Sequence, residues 1–313
     1  MLFAIGSILL LLIILYMLIP NRTLFHSAVN TERHLAKLTR KSVSIDDGEI
    51  VYLEGGSGQT LLMLHGFGAD KDNWVRMAKH LTHRYHVVAP DLPGFGESVK
   101  NPDLDYGISD QVTRLHQFAS AINLDEFHIG GNSMGGYLAG NYAVQHADKV
   151  ISVGLLNPLG IASSPDSEMF AMLRQHQRPK VLVGDSKQYR ELLAFAFYKV
   201  PFIPSFVVEE LAKQAQEDFP LHEKIFQDIH AMSNGQPHFS DPLDVVLRSI
   251  QKPVLIIWGD SDRILHPKGA SILQSSIPNA KAEVMKNMGH LPMIESPSNT
   301  AKIYLNFIQC STQ

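Results

Sequence analysis

One cysteine, Cys310, stands among 313 residues. That excludes an intramolecular disulfide and a cluster of thiolate metal ligands, and with them the small cysteine-braced scaffolds. A long basic run is also missing, and the formal net charge is −4. The chain therefore lacks the electrostatic footprint that a nucleic-acid partner needs. There is no internal repeat and no low-complexity tract. Residues 1–20 contain no charged side chain. Over the whole chain, hydrophobic residues make up 45% and charged residues 19%. That balance belongs to a globular body large enough to bury a substantial core, not to a disordered one.

The uncharged beginning reads as a membrane anchor. As a helix, Leu2 to Ile19 spans roughly 27 Å, close to the ~30 Å hydrocarbon core of a bilayer. Its leucines, isoleucines and Phe3 contribute about −4 to −8 kcal/mol toward insertion, as an upper bound. A cleaved secretory signal is the rival reading, but a basic n-region and a small-x-small cleavage site are both lacking. Residues 21–41 then carry Arg22, Arg33, Lys37, Arg40 and Lys41 against one acid, Glu32. Positive charge on that flank places the body on the cytoplasmic side. Residues 23–38 suit a basic amphipathic helix along the headgroups, touching them with Leu24, Phe25, Val29, His34, Leu35 and Leu38. A solvated linker helix is the alternative.

Beyond residue 41, short apolar runs alternate with helix-length segments. Val51–Leu53, Thr60–Leu64, Tyr85–Ala89, Phe127–Gly130, Ile151–Leu156, Pro253–Trp258 and Ala282–Met285 read as strands. Trp74–Leu81, Asp110–Ile122, Tyr137–His146, Pro267–Ser275 and Asn299–Ile308 read as helices. Such alternation predicts an α/β protein with a mostly parallel sheet covered on both faces by helices, and with its site at strand carboxyl ends. The alternation stops between about residues 160 and 248, where Pro165, Pro179, Pro201, Pro204, Pro220 and Pro237 punctuate a helical stretch. This reads as a helical cap inserted before the strand Pro253–Trp258. Within it, Leu192–Val208 holds a single charge, Lys199, together with several aromatic residues. It is the expected apolar roof of a binding site, with Phe197 and Phe206 as substrate contacts. An ordinary pair of core helices is the plainer reading.

Gly131-Asn132-Ser133-Met134-Gly135 matches G-x-S-x-G, a sharp strand-to-helix turn that holds a serine in a strained backbone conformation. By composition alone the pattern arises in roughly one chain of this size in ten. Here an apolar strand precedes it and a helical pattern follows. A serine nucleophile needs a base, and the base an orienting carboxylate, in the chain order Ser, Asp or Glu, His. Asp262, in Gly259-Asp260-Ser261-Asp262, and His290, in Gly289-His290, satisfy that order on loops after strands. Asp260 competes with Asp262, which motif position favours. Backbone N–H groups must also face the developing oxyanion. Met134, just after the nucleophile, supplies one. Phe67 supplies the other from the loop His65-Gly66-Phe67-Gly68, where His65 and Gly66 position the turn.

Together with Asp91-Leu92-Pro93-Gly94-Phe95-Gly96-Glu97-Ser98, these motifs resemble the α/β-hydrolase superfamily over roughly residues 41–310. The N-terminal anchor, the His65–Trp74 stretch and the total length look like membrane-anchored monoacylglycerol lipases and related bacterial lipases. The elbow is also similar to that of hydrolases of aromatic ring-cleavage products, which break carbon–carbon bonds and as a family lack the anchor. Dehalogenases and epoxide hydrolases of the superfamily carry Asp at the nucleophile position, and Ser133 speaks against both.

The resemblance implies hydrolysis of lipid-like or small carboxylic esters through an acyl-enzyme, with no metal and no organic cofactor. Ser133, His290 and Asp262 would form the triad. The implied layout is an anchor at 1–20, a basic juxtamembrane segment at 21–40, and a hydrolase domain at 41–310 with its cap at about 160–248. A carbon–carbon bond hydrolase and a non-catalytic binding protein on the same fold are the alternatives.

Overall fold

The structure, a computed structural model, describes residues 20–232 and 237–311. The expected anchor thus lies outside the described residues, apart from Pro20. Among the described residues no helix is long and apolar enough to cross a membrane.

The strands are β1 Thr39–Ile45, β2 Gly48–Gly55, β3 Thr60–Leu64, β4 His86–Pro90, β5 Phe127–Asn132, β6 Val150–Leu156, β7 Val254–Gly259 and β8 Lys281–Met285. They form one eight-stranded sheet in the order β1-β2-β4-β3-β5-β6-β7-β8. The β1–β2 and β2–β4 pairs are antiparallel and the others parallel. Every residue of β5 and β7 is buried. This is the pattern of a parallel sheet with helices on both faces, and it explains why β7 reads as a continuous apolar run. One apolar cluster lies on each face, around Phe118, Tyr142 and Leu273 on one side and Trp74, Met293 and Tyr304 on the other.

The register sets one common rim. Leu64 lies beside Gly131, Asn132 beside Leu156, Leu156 beside Ile257, and Gly259 beside Met285. The residues that follow these strand ends include His65, Ser133, Asn157, Asp262 and His290. Five segments far apart in sequence therefore deliver side chains to one place.

Three local features depart from the sequence reading. The strand at Val51–Leu53 is the buried centre of a hairpin, whose first strand starts at Thr39, inside the segment expected to be juxtamembrane. β1 is largely exposed and has no apolar alternation to betray it. The helix expected at Trp74–Leu81 is a 3₁₀ turn, Lys71–Trp74, followed by one helical turn, Val75–Ala78. The Asp70 carboxylate accepts from the Asp72 N–H at 2.8 Å and starts that turn early.

The third departure is the helix Asn21–Leu35. It packs against the cap helix Ser205–Glu217 and against Val75–Ala78. Phe25 and Leu38, expected at headgroups, are buried in the protein, whereas His34 and Leu35 stay exposed. Polar contacts fix the packing: Arg33 bonds Asp72 at 2.5 and 2.7 Å, and Arg76 pairs with Glu32 at 3.2 Å. Lys37, with φ of 56°, ends the helix, and the Leu38 N–H donates back to Arg33 O at 2.9 Å.

Between β6 and β7 the chain builds the cap from helices Glu168–Arg174, Ser186–Ala196, Ser205–Glu217 and Phe219–Ile229 and the short turn Leu243–Val246. Pro204 immediately precedes the helix starting at Ser205, so the apolar run 192–208 is two helix ends around a loop.

Candidate active site

Ser133 sits between β5 and the helix Met134–Gln145 with φ 55° and ψ −118°. For a non-glycine residue this conformation costs about 1–3 kcal/mol and persists only where the surroundings enforce it. They do. The Ser133 N–H donates to Leu156 O at 3.1 Å, and Ser133 O accepts from Leu159 and Tyr137 N–H at 2.9 and 3.0 Å. The flanking glycines are steric requirements. A Cβ on Gly131 would lie 2.1 Å from Gly135 O, and one on Gly135 would lie 2.2 Å from Leu64 O. The helix that follows leaves its first N–H groups without intrahelical partners, and Met134 carries the first of them.

His290 and Asp262 meet on the same rim. His290 Nδ1–H donates to Asp262 Oδ2 at 2.8 Å, and both side chains are almost fully buried. The same oxygen accepts from Asn157 Nδ2 at 2.7 Å. Asp262 Oδ1 accepts from the Ile264 and Leu265 N–H groups at 2.9 and 3.0 Å. Four donors hold the carboxylate in one orientation. Asp260 is exposed. It accepts from the Ser261 hydroxyl at 2.8 Å and from Met288 N–H at 3.4 Å. Of the two candidate acids, Asp262 is the one brought to His290.

The turn His65–Gly68 lies against the elbow. A Cβ on Gly66 would come within 3.2 Å of the Ser133 Cβ. His65 braces the turn from below. Its Nε2 accepts from the Leu92 N–H at 2.9 Å, so Nδ1 carries the proton and donates to Gly66 O at 2.8 Å. Burial lowers its pKa to about 4, despite the favourable Gly66 carbonyl, so the ring stays neutral. Next to it, Lys71 Nζ bonds Asp91 at 2.7 Å and Glu97 at 2.9 Å, and the Lys71 N–H reaches the other Asp91 oxygen at 2.7 Å. Burial disfavours the Lys71 ammonium, but Asp91, Asp70 and Asp72 outweigh it and hold its pKa above the ordinary lysine value. The segment Asp91–Ser98 thus clamps the turn by polar bonds.

Ser133, His290, Gly66 and Phe67 share a cavity of about 260 Å³. One part of its wall is apolar and comes from the cap, with Leu192, Leu193, Phe197, Ile203 and Val207. Phe25 and Val29 of the first helix join it. Another part is polar and includes Asp70, Asn73 and Tyr189. Phe197, expected as a substrate contact, is in this wall. Phe206 is not: successive helical residues point about 100° apart, and Val207 takes the inward position. The Phe67 ring lies under the cap, with ring centroids 5.6 Å from Phe95, 5.6 Å from His222 and 5.7 Å from Phe226.

Sequence reasoning did not single out Asn157, Asn132, Lys71 or Glu295. Asn132 Nδ2 bonds Leu156 O and His290 O, both at 3.0 Å, tying the nucleophile turn to the histidine loop. The available signal for Asn157 was a polar residue ending an apolar strand, just before Pro158. For Lys71, Asn132 and Glu295 there was none, since their partners lie 20 or more residues away or on backbone atoms.

A profile described as the alpha/beta hydrolase family matches residues 61–303. The chain belongs to the α/β-hydrolase family. This hydrolase is 34% identical over 293 residues to Lipase 1 of Psychrobacter immobilis, covering 90% of this chain and 89% of that one. It is 32% identical over 261 residues to Monoacylglycerol lipase ABHD6 of Bos taurus, covering 81% of this chain and 76% of the relative. Among solved structures, a membrane phospholipase A described as a bacterial virulence factor is similar at 37% identity, with a TM-score of 0.90 and 99% of both chains covered.

Proposed function

We propose that this α/β-hydrolase cleaves carboxylic esters of lipid-like substrates, monoacylglycerols among them, through an acyl-enzyme on Ser133. The observation that carries this reading is that one cavity joins Ser133 and His290 to an apolar wall from the cap. The similarity to lipases over most of the chain supports it.

In this reading Ser133 Oγ attacks the ester carbonyl while His290 Nε2 takes its proton. Asp262 holds Nδ1–H through the 2.8 Å bond and stabilises the imidazolium. The Phe67 and Met134 amides bind the oxyanion. The alcohol leaves with the proton from His290, and water then releases the acid by the same route. The apolar wall suits the acyl chain. The polar wall with Asp70, Asn73 and Tyr189 suits a hydroxyl-bearing alcohol half such as glycerol.

The test combines labelling and turnover. A fluorophosphonate probe should label the wild-type protein and not Ser133→Ala, and absence of labelling would favour an inert binding protein. Esters of graded chain length should turn over faster than a dienone acid from aromatic ring cleavage. The reverse order would favour carbon–carbon bond hydrolysis.

The uncharged segment at 1–20 belongs to the same reading as a membrane anchor, with the catalytic domain on the cytoplasmic side. Its support is the insertion estimate and the basic flank, together with a similar chain named as a membrane phospholipase A. Protease added outside sealed cells should spare the domain. Digestion from outside would reverse the orientation.

A further inference from the structure

Tyr198, Val200 and Phe202 are 55%, 43% and 87% exposed. Among the described residues, seven large hydrophobic side chains are exposed, and three of them fall within this one loop. Loops over water are built from polar and small residues, so the clustering needs a cause.

The loop is not loosely held. The Tyr198 N–H donates to Glu295 Oε2 at 3.0 Å, and Glu295 Oε1 accepts from Gly289 N–H at 3.3 Å. Next to this, His290 N–H donates to Ala196 O at 2.7 Å. The backbone of the loop is therefore fixed to the loop that bears His290, while its apolar side chains point away from the protein. Phe197 on one side and Ile203 on the other line the cavity that contains Ser133. The exposed residues lie between these two wall residues.

The described residues begin nearby, at Pro20. Asn21 Nδ2 donates to Glu209 Oε2 at 3.1 Å, on the helix that starts three residues after Phe202. No more than roughly 17 Å of chain separates Phe202 from Glu209. The first described residues and this apolar loop thus lie near each other. Aromatic and aliphatic tips beside a lysine, here Lys199, are the composition of segments that sit at the headgroup boundary.

We propose that the loop Tyr198–Phe202 is a second contact with the lipid bilayer, inserting shallowly beside the anchor and setting the cavity mouth against the phase that holds the substrate. This rests on the reading of residues 1–20 as an anchor and of lipid esters as substrates. The bilayer would cover Tyr198, Val200 and Phe202 while Glu295 keeps the loop registered to His290.

The full-length protein in phosphatidylcholine–phosphatidylglycerol vesicles tests it directly. Both natural tryptophans, Trp74 and Trp258, are 1% exposed, so Phe202→Trp adds a separable signal. The added emission should fall at least about twofold when the phosphatidylcholine carries brominated acyl chains, and should resist aqueous acrylamide. Emission quenched by acrylamide and indifferent to bromine would overturn the proposal. Separately, Phe202→Asp should lower turnover of a monoacylglycerol embedded in vesicles about tenfold, with p-nitrophenyl acetate hydrolysis unchanged within about twofold. Equal loss on both substrates, or no loss on the vesicle substrate, would also overturn it. Quenching needs no turnover, so it reads the loop even where the ester assay fails the hydrolase reading.

Discussion

The strand-end rim and the cap face the same cavity and are built on different physics. At the rim, each reactive group is fixed by short polar bonds: Asp262 by four donors, Ser133 by backbone bonds on both sides, His65 through both ring nitrogens. The cap meets the cavity mainly with aliphatic and aromatic surface, on short helices whose other faces are partly exposed. Hydrogen bonds are directional and fix atoms to fractions of an ångström. Apolar contact is not directional and tolerates substrates of many lengths. The rim is suited to setting the rate of one reaction, and the cap to setting which chain enters.

The largest test of that division is at the nucleophile. Ser133→Ala should lower kcat by at least ~10⁴-fold on every ester, with the fold intact by circular dichroism, and adding His290→Ala should cost little more. Retention of a few per cent of turnover would remove Ser133 from the role. Next come the two aspartates: Asp262→Asn should lower kcat about 10⁴-fold, and Asp260→Asn less than about threefold. The reverse order would move the acid to Asp260. Asn157→Ala, which strips one donor from Asp262, should cost about 10- to 100-fold in kcat with little change in KM.

In the cap the effect should be smaller and selective. Phe197→Ala should lower kcat/KM about tenfold on long-chain esters and under about threefold on acetate esters, while Phe206→Ala should discriminate little. Equal loss on both chain lengths would erase the contrast between cap and rim.

The last test concerns acid and reads stability, not turnover. His65, His128, His222 and His230 have pKa values lowered to about 4 by burial. In the unfolded chain they take up protons near pH 6.5, before the native state does. Their contribution to stability is complete above pH 6.5 and is lost as pH falls from about 6.5 to about 4, by up to ~1.4 kcal/mol per pH unit for each residue. Urea unfolding between pH 7 and 4 should show this slope, and His230→Phe should reduce it by about one proton. An unchanged slope would mean that His230 is protonated in the native protein.

The uneven legibility of the chain follows the same division. β7 was readable because a strand buried on both faces is mostly apolar, and β5 because it runs into the glycine-flanked serine, whereas β1 is mostly exposed and carries no such mark. The helix Asn21–Leu35 was expected from its spacing, but the partner of its apolar face was not. Headgroups and a cap helix both accept Phe25, and spacing cannot choose between them.

What the sequence determined by itself was the elbow at Ser133, the order serine, acid, histidine along the chain, and the alternation that demands a covered parallel sheet. These are local patterns or consequences of strand periodicity, written in neighbouring residues. Only the tertiary structure decided that Asp262 and not Asp260 reaches His290, that Asn157 steadies it, and that Val207 replaces Phe206 at the cavity wall. Those outcomes depend on strand register and helix rotation, where a shift of one residue turns a side chain to another face. They are fixed when the whole sheet and cap pack together, and not before.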